Sequence, residues 1–287
     1  MVFLVSERIG QVFVGDDRLE YTEYGAGDRW VVLVHGQLLT RRMHRPLARA
    51  LAAEGAHVLT IDLLGHGRSD RPADPQAYSV PGFAAQVLAV LDELGVEEAV
   101  FGGTSLGANV ALEVADAAPG RVRGLLLEMP VLDNAVEAGI LAFGPLLFAG
   151  RFLPLPVHAV RRVSRAVPRG IVPFWTSVLL ETLDQKPAPM AALVHGIFFG
   201  RVAPPSARRR LITAPALVVG HPRDPIHPAA DAAMLADELP HGRFVRANGL
   251  LEWRLRPERL DAEAVAFVAS CWQRPRARRA RPTTRSR

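Results

Sequence analysis

A Gly-x-Ser-x-Gly pentapeptide around Ser105 constrains the fold of this chain more than any other sequence feature. It reads Gly103-Thr104-Ser105-Leu106-Gly107. The apolar stretch 99–101 before it predicts a short buried strand, and residues 108–118 after it carry apolar side chains at helical spacing. The pentapeptide therefore falls at a predicted strand-to-helix turn, where it would hold a serine hydroxyl at the tip of the turn.

The glycines of the pentapeptide have a physical role at such a turn. Without Cβ atoms, Gly103 and Gly107 permit close approach of the chain and unusual backbone angles. The hydroxyl of Ser105 would stand at the start of a helix, where the macrodipole favours developing negative charge. A chance match is the alternative in a chain with 24 glycines, but the strand-turn-helix setting argues against it. We therefore predict that Ser105 is a catalytic nucleophile.

The order of the other elements predicts a fold in which strands and helices alternate. Hydrophobic residues make up 49% of the 287 positions, which is enough for one large core. The alternation favours an α/β fold with a mostly parallel central sheet and helices on both faces. The predicted strands are 11–16, 18–24, 31–34, 57–61, 99–101, 122–127, 216–220 and 243–246, and the predicted helices are 43–53, 81–94, 108–118, 228–239 and 257–272.

The positive charge of the chain is concentrated at its C-terminus. The formal net charge is +5, and residues 273–287 carry seven arginines and no acid, so residues 1–272 carry a net charge of −2. Because residues 273–287 have almost no apolar content, we predict a disordered basic tail there. Non-specific contact of the tail with nucleic acid or an anionic membrane is the alternative, and we expect no specific nucleic-acid partner.

Several sequence features bear on the compartment of the protein. Residues 1–8 lack the basic start and the long apolar core of a signal peptide. The longest uncharged apolar stretch near the middle, 138–150, is too short to span a bilayer. Cys271 is the only cysteine, so no intrachain disulfide can form. Together these features predict a cytoplasmic location.

Four motifs together resemble the α/β-hydrolase superfamily. His35-Gly36 follows one predicted strand, Gly65-His66-Gly67-Arg68-Ser69 follows the next, the Ser105 pentapeptide comes third, and Asp224 lies in a loop after a late strand. The motifs occur in the order that the family has, and the resemblance covers roughly residues 10–130 and 208–272. It implies an α/β-hydrolase-like sheet with an inserted helical cap.

The resemblance and the pattern of elements divide the chain into three parts. We expect an α/β-hydrolase core formed by residues 1–130 and 208–272. Between 131 and 207 strand patterns are absent, and prolines, arginines and aromatic residues are frequent. This segment, called the cap segment below, is predicted to be a helical insertion over the active site. The basic tail 273–287 is the third part.

The resemblance implies roles for further positions. The backbone N–H groups of Gln37 and Leu106 would form an oxyanion hole. Asp224, four residues beyond the predicted strand end at Gly220, would be the acid that orients a histidine. Glu128 ends the strand after the Ser105 motif, and some relatives supply the acid from this position. We interpret Glu128 as a structural residue or a hinge of the cap.

The catalytic histidine of the family is missing from its usual loop. That loop follows the last strand, and here residues 247–253 read Ala-Asn-Gly-Leu-Leu-Glu-Trp. A serine hydroxyl is a poor nucleophile without an adjacent base. We name His227, three residues after Asp224, as the candidate base.

Other residues remain as alternatives for the base. His221 flanks the Asp224 loop, and His158 and His195 lie in the cap segment. His241 precedes the last strand, so we expect it at the opposite edge of the sheet. Glu252 would act as a weak base if burial raised its pKa, but the nearby Arg254 favours an ion pair instead. His66 is expected to pack within its own loop.

Apolar side chains are frequent in the cap segment. If they face Ser105 they form an apolar pocket, and we name Phe143, Phe148 and Trp175 as ligand contacts. Ordinary packing between helices is the alternative for most of these side chains. A third interpretation is weak contact with a membrane surface, because the four arginines of residues 161–169 would suit anionic headgroups.

These observations predict a hydrolase that cleaves an ester or a related bond of an apolar small molecule, with Ser105 as nucleophile. No cofactor and no metal are expected. A serine at this position disfavours the dehalogenase and epoxide-hydrolase members of the superfamily, which use an aspartate there. The loop without a histidine motivates the alternative, a degenerate α/β-hydrolase that binds a small ligand or partner with little or no turnover.

Overall fold

One mixed sheet of eight strands lies at the centre of the computed structural model, which describes residues 5–132, 136–184 and 186–273. The strands are β1 Glu7–Val14, β2 Asp17–Tyr24, β3 Trp30–Val34, β4 His57–Ile61, β5 Ala99–Thr104, β6 Val122–Glu128, β7 Ala216–Gly220 and β8 Gly242–Arg246. Their order is β1-β2-β4-β3-β5-β6-β7-β8. The β1–β2 and β2–β4 pairs are antiparallel and the others are parallel.

Helices cover both faces of this sheet. In the described residues the α-helices are α1 Arg45–Ala53, α2 Val80–Glu93, α3 Leu106–Ala117, α4 Val136–Phe152, α5 Pro154–Ala166, α6 Phe174–Thr182, α7 Pro187–Phe198, α8 Ser206–Arg209, α9 Ala229–Glu238, α10 Glu252–Leu255 and α11 Glu258–Gln273. Val32 and Val34 of β3 face α2, α3 and α9, whereas Val31 and Leu33 face α1 and α11. Burial on both faces explains why β3 is an unbroken apolar run, and the predicted α/β fold is confirmed.

The first strand differs from its prediction. β1 begins at Glu7 and ends at Val14, whereas the sequence predicted 11–16. Most of its side chains are exposed at the edge of the sheet, so the apolar signal that marks a strand is weak there. Gly15, with a φ of 62°, and Asp16 form a two-residue turn, because Val14 pairs directly with Asp17.

The central strand β5 is longer than predicted. The sequence predicted its end at residue 101, before two glycines, which usually weaken a strand. β5 pairs with β3 on one side and with β6 on the other, and this pairing continues through Gly102 and Gly103 to Thr104. The neighbouring strands thus extend β5 up to the residue before Ser105.

A buried ion cluster fixes the loop that follows β4. The fully buried Asp62 pairs with the guanidinium of Arg41, and it accepts the backbone N–H groups of Arg41 at 2.7 Å and Arg68 at 3.0 Å. Arg41 also donates to Glu20 at 2.5 Å and to Thr22 at 2.8 Å. Buried charges need such complete pairing. The cluster therefore holds the chain from β2 to the β4 loop in one arrangement.

Helices α4 to α8 lie between β6 and β7, and the described part of residues 131–207 contains no strand. α7 packs against α4 and the turn Pro75–Ala77, and its buried residues join the core around α2 and α3. Within the described residues no single helix is long and apolar enough to cross a membrane, although α4 and α5 pass that test as a bent pair. Of the predicted tail, Gln273 ends α11, and residues 274–287 lie outside the described residues.

Candidate active site

Ser105 lies at the junction of β5 and α3. Its φ of 55° and ψ of −115° are rare for a residue with a side chain. Its backbone N–H donates to the carbonyl of Glu128 at 2.8 Å. A Cβ at Gly103 or Gly107 would collide with the backbone carbonyl of Val34 on β3. The pentapeptide thus has the strand-turn-helix setting that the sequence predicted, and both glycines permit the close packing of this turn.

Unusual backbone conformations are concentrated at one edge of the sheet. In the described residues, the non-glycine residues with positive φ are Leu38 at 61°, Ser105 at 55°, Met129 at 52° and Arg223 at 61°. Each follows the carboxyl end of a parallel strand, namely β3, β5, β6 and β7. Strained residues cluster at functional sites, and parallel sheets bind ligands beyond these strand ends. We therefore place the candidate site at this edge.

Ser105, His227 and Asp224 form one chain of hydrogen bonds. The hydroxyl oxygen of Ser105 lies 2.8 Å from Nε2 of His227. Nδ1 of His227 lies 3.0 Å from Oδ2 of Asp224. With its proton on Nδ1, the ring donates to the carboxylate and leaves Nε2 free to accept the serine proton. This is the relation between a nucleophile, a base and an orienting acid.

Asp224 has a second function within its own loop. Its Oδ1 accepts the backbone N–H groups of Ile226 at 2.8 Å and His227 at 3.0 Å. Burial alone would raise the pKa of Asp224, but the hydrogen bonds and charge of His227 and the Ile226 N–H outweigh it, so the pKa lies below its ordinary value. The carboxylate is therefore charged at neutral pH and holds both the backbone and the ring of His227.

The alternative histidines have other partners. Among the described residues no imidazole except that of His227 is hydrogen-bonded to Ser105. The backbone of His241 pairs with Ala216 at the start of β7, which is the opposite edge of the sheet, as expected. The ring of His158 contacts Pro154, that of His195 contacts Phe199 and that of His66 contacts Leu64.

The prediction of an ion pair between Glu252 and Arg254 is wrong. Glu252 pairs with Arg259 at 2.8 Å and accepts the backbone N–H of Asn248. Arg254 instead pairs with Glu128 at 2.6 Å. Residues 252 and 254 lie on the short helix α10, and side chains two positions apart on a helix point in different directions. Glu252 is therefore engaged at the protein surface.

The positions expected to supply oxyanion donors both border the space at Ser105. Gln37 follows His35-Gly36 at the end of β3, and Leu106 is the first residue of α3. The N–H of Leu106 has no intrahelical partner, because the first turn of a helix leaves its N–H groups free. The helix N-terminus adds favourable electrostatics for an oxyanion.

A buried histidine holds the loop that carries Gln37. Nε2 of His35 accepts the N–H of Leu63 at 3.1 Å, and Nδ1 donates to the carbonyl of Gly36 at 2.9 Å. Burial lowers the pKa of His35, so the ring is neutral, as this pair of bonds requires. The motif His35-Gly36 therefore has a structural explanation, since His35 ties the loops after β3 and β4 together.

A cavity opens above Ser105 and His227. The volume that a water-sized sphere can occupy in it is about 70 Å³, and it is partly open to solvent. Most of its lining is apolar and comes from both the core and the cap segment. The apolar side chains are Val80, Leu106, Val131, Phe143, Ile197, Phe198, Val202 and Ile226. A lining of this kind suits a small apolar ligand.

Two side chains that the sequence assigned to this pocket lie elsewhere. Phe143 borders the cavity as expected. Phe148 is exposed on the outer side of α4, because the helical period places it on the opposite side from Phe143. The indole N–H of Trp175 donates to the carbonyl of Arg254 at 2.7 Å, and the ring does not border the cavity in the described residues. Phe148 and Trp175 are therefore not assigned to this site.

Two amide side chains supply polar groups to the apolar lining. Nδ2 of Asn109 donates to the carbonyls of Val131 at 2.8 Å and Val202 at 2.6 Å, so its hydrogens are used within the protein. Nε2 of Gln37 is buried and has no hydrogen-bond partner. An unsatisfied buried donor is unfavourable, so Gln37 is the polar group most suited to meet a ligand.

Comparison with known proteins identifies the family. A family model described as alpha/beta hydrolase fold matches residues 29–249, well over half of the chain. The chain belongs to the α/β-hydrolase fold family. Haloalkane dehalogenase 1 of Mycobacterium tuberculosis is 28% identical over 203 residues, which are 71% of this chain and 61% of that protein.

Solved structures agree with this α/β-hydrolase assignment. The enol-lactonase from Burkholderia xenovorans LB400 has a TM-score of 0.73 at 20% identity and covers 91% of this chain and 100% of its own. A structure described as Est816, an N-acyl homoserine lactone degrading enzyme, has a TM-score of 0.65 at 25% identity and covers 90% of this chain and 100% of its own. The first likeness shows the fold alone.

A second acid–histidine pair lies behind the serine of this α/β-hydrolase. The buried Glu128 accepts hydrogen bonds from the hydroxyl of Thr104 at 2.5 Å and from a guanidinium N–H of Arg254 at 2.6 Å. Nε2 of His221 lies 3.0 Å from Glu128 Oε1, although its N–H is poorly aligned, and Nδ1 contacts the carbonyl of Gly249 at 3.0 Å. Glu128 therefore joins β5, β6 and the loops after β7 and β8, in agreement with its structural interpretation.

In the pair of Glu128 and His221, each side chain stabilises the charged form of the other. Burial alone would raise the pKa of Glu128, but Arg254 and then His221 outweigh it and lower that pKa. Burial alone would lower the pKa of His221, but the Glu128 carboxylate outweighs it and raises that pKa. In the described residues, no cluster of histidine, cysteine and carboxylate side chains is arranged to hold a metal ion.

Proposed function

We propose that this protein is a serine hydrolase that cleaves an ester or lactone bond of a small apolar substrate. The observation that carries the proposal is the hydrogen-bonded series from Ser105 to His227 to Asp224. It supplies Ser105 with the base that the loop 247–253 lacks. The catalytic constellation is then complete, with acid and base three residues apart in one loop.

The proposed reaction follows from this geometry. Nε2 of His227 accepts the hydroxyl proton as Ser105 Oγ bonds to the carbonyl carbon, and the carbonyl oxygen becomes an oxyanion near the N–H groups of Gln37 and Leu106. His227 then donates this proton to the departing oxygen as the ester C–O bond breaks. Water loses a proton to His227 and attacks the acyl group on Ser105. The bond between Oγ and the acyl carbon then breaks as His227 returns the proton to Oγ, which releases a carboxylic acid.

Placing the base in the Asp224 loop is chemically sufficient. A base must reach the nucleophile, and an acid must fix its tautomer, but neither requirement depends on the strand from which the histidine comes. Asp224 meets the second requirement through its bond to Nδ1. The degenerate-hydrolase alternative was motivated by the missing histidine, and the position of His227 removes that motive.

The cavity favours a particular class of substrate. Its apolar lining suits an uncharged acyl or alkyl group. The unpartnered Nε2 of Gln37 favours a second acceptor oxygen beside the scissile carbonyl. An ester or lactone with an additional oxygen close to its carbonyl satisfies both, and the description of Est816 as an N-acyl homoserine lactone degrading enzyme is compatible with this class. Dehalogenase chemistry is disfavoured, because the nucleophile position holds Ser105.

Ester hydrolysis by matched variants tests the proposal. We expect the wild type to hydrolyse p-nitrophenyl acetate, butyrate or octanoate. Ser105→Ala should lower kcat/KM by at least about a thousandfold, because the nucleophile is removed. The control Ser6→Ala alters a serine beside Gly25, at the end of the sheet where β4 begins, and should leave the rate unchanged.

Two outcomes would count against the proposal. Full activity in Ser105→Ala would place the reaction elsewhere. An inert wild type that becomes active after Leu250→His would support the degenerate-hydrolase alternative, since it would mean that His227 does not serve as base.

A further inference from the structure

The outward side of α4 is apolar where a solvent-exposed helix surface is expected to be polar. Its exposed fractions are 78% at Leu141, 56% at Phe148 and 63% at Phe152. These residues recur at i, i+7 and i+11, so they form one stripe along the helix. The opposite side, with Phe143, packs against the core. The outer stripe is therefore not needed to bury α4.

The neighbouring helix α5 also exposes apolar side chains. Leu155 is 81% exposed and Val163 is 68% exposed. The rings of Phe148 and Phe152 are 5.0 Å apart, and Phe152 leads directly into α5. We call Leu141, Phe148, Phe152, Leu155 and Val163 the outer cap face. Apolar surfaces of this kind mark interaction sites.

Arginine side chains accompany the outer cap face. Residues 138–180 contain five arginines and no aspartate or glutamate. The guanidinium of Arg151 lies 5.7 Å from the ring of Phe152, and Arg162 is exposed on α5. Asp184 approaches the same region and pairs with Arg161 at 3.1 Å and Arg165 at 3.8 Å. Asp184 pairs with two of these arginines, which leaves Arg151 and Arg162 to complement a negatively charged surface.

We propose that the outer cap face binds an anionic phospholipid surface. Phe148, Phe152 and Leu155 would enter the boundary between headgroups and acyl chains, while Arg151 and Arg162 contact the phosphates. Amphipathic helices with arginine beside exposed aromatic residues lie in the plane of such a surface. This binding is separate from hydrolysis and would bring the Ser105 cavity close to apolar molecules dissolved in a membrane.

Co-sedimentation with vesicles tests this binding. Full-length wild type is mixed with phosphatidylcholine vesicles and with vesicles of phosphatidylcholine and phosphatidylglycerol in a 3:1 ratio. We expect binding to the anionic vesicles that weakens as salt rises. The pair Phe148→Ser and Phe152→Ser should lower the partition coefficient at least tenfold. The pair Arg151→Gln and Arg162→Gln should lower it by about fivefold per arginine, on anionic vesicles only.

Matched controls separate the outer cap face from other surfaces. Ile9→Ser with Phe13→Ser removes two equally exposed apolar residues from β1 and should not change binding. Replacing the seven arginines of residues 274–287 with glutamine should leave the effect of the phenylalanine pair intact. The proposal is overturned if wild type does not sediment, if only the tail variant loses binding, or if the phenylalanine pair changes self-association in size-exclusion chromatography instead.

A different observation carries a second inference, which concerns Asn109. This residue lies one turn after Ser105 on α3 and is 2% exposed. Its amide bonds to the N–H of Val131 at 3.0 Å and the carbonyl of Val131 at 2.8 Å, where the chain enters the cap segment. It also bonds to the carbonyl of Val202 at 2.6 Å, where the chain leaves it. One side chain thus joins both cap junctions to the helix that begins at Ser105.

We infer that Asn109 is a positioning residue that fixes the cap segment above Ser105. Ion pairs farther along the same side of α3 hold only the exit of the segment, namely Glu113 with Arg201 at 2.5 Å and Asp116 with Arg208 at 2.7 Å. Asn109 is therefore the described α3 side chain that bonds to both junctions. Without it, Phe143 and the other cap residues of the cavity would lose their fixed distance from the serine.

Hydrogen exchange measured by mass spectrometry tests this role without relying on catalysis. Asn109→Ala should speed amide exchange at least tenfold in peptides from 136–199, because three hydrogen bonds are lost, with little change in β3, β5 and β6. The control Arg201→Ala should affect only the exit segment. In ester hydrolysis, Asn109→Ala should raise KM more than it lowers kcat. Exchange that rises equally in core and cap, or nowhere, would contradict the inference.

Discussion

Replacing Asp224 with asparagine separates the two functions of this carboxylate. Oδ1 accepts two backbone N–H groups at 2.8 and 3.0 Å, and an amide oxygen in the same place would keep both bonds. Oδ2 accepts the proton on Nδ1 of His227, and an amide NH₂ there would meet a second donor. The imidazole must then move its proton to Nε2, which can no longer accept the proton of Ser105.

The expected magnitudes follow from these contacts. A histidine held in the wrong tautomer lowers kcat by about 10³ to 10⁴, which corresponds to about 4–5.5 kcal/mol of activation free energy. Folding loses one charge-assisted hydrogen bond, or about 1–2 kcal/mol, so Tm should fall by only about 2–6 °C in a domain of this size. The catalytic loss is therefore much larger than the loss of stability.

Kinetics and melting of two variants check this reasoning. Asp224→Asn should show the large loss of kcat with a small change in Tm, whereas Asp224→Ala should lose kcat and more stability, because the loop bonds also disappear. Since folding lowers the pKa of Asp224, its stabilising effect is present above its ordinary pKa of about 3.9 and is lost as pH falls. Activity of Asp224→Asn within tenfold of wild type would refute the account of the tautomer.

Three further predictions concern residues around the site. Folding raises the pKa of His221 above 6.5, so the contribution of this group to stability is present below that pH and is lost as pH rises through the folded pKa. The Tm measured from pH 6 to 9 should therefore fall less in His221→Asn than in wild type. Gly107→Ala should lower the free energy of unfolding by about 2–3 kcal/mol, because its Cβ meets the carbonyl of Val34, whereas Gly120→Ala in open space should not; urea melts decide this. Gln37→Leu should raise KM about tenfold for esters with a second acceptor oxygen and leave KM for simple alkyl esters unchanged.

Much of the core could be predicted from local sequence. β3 and β7 are unbroken apolar runs because helices bury both of their faces, and the structure has these two strands and β4 within a residue of the predicted bounds. The strand-to-helix turn at Ser105 was also predictable, because Gly103 and Gly107 are needed for packing against Val34. The bounds of the edge strand β1 were not, since most of its side chains are exposed and the apolar signal of a buried strand is weak there.

The contacts between distant loops could not be predicted from the sequence. The spacing of His227 and Asp224 allowed them to meet, but no local pattern shows that the ring also reaches Ser105, 122 positions earlier. The same holds for Glu128, whose partners His221 and Arg254 lie in the loop after β7 and on α10. Phe148 was wrongly predicted to contact the ligand, because apolar composition in the cap segment does not reveal which side of α4 faces the cavity.

Modification of Ser105 by a fluorophosphonate tests the central claim most directly, because its rate depends on the base that activates the serine. Peptide mass spectrometry would locate the adduct and follow its rate in wild type, in His227→Gln and in the control His195→Gln, which changes an exposed histidine of the cap segment. We predict an adduct on Ser105 in wild type, an unchanged rate in His195→Gln and a rate at least about a hundredfold lower in His227→Gln. Equal rates in wild type and His227→Gln, or no adduct on Ser105 in wild type, would contradict the claim that His227 activates this serine.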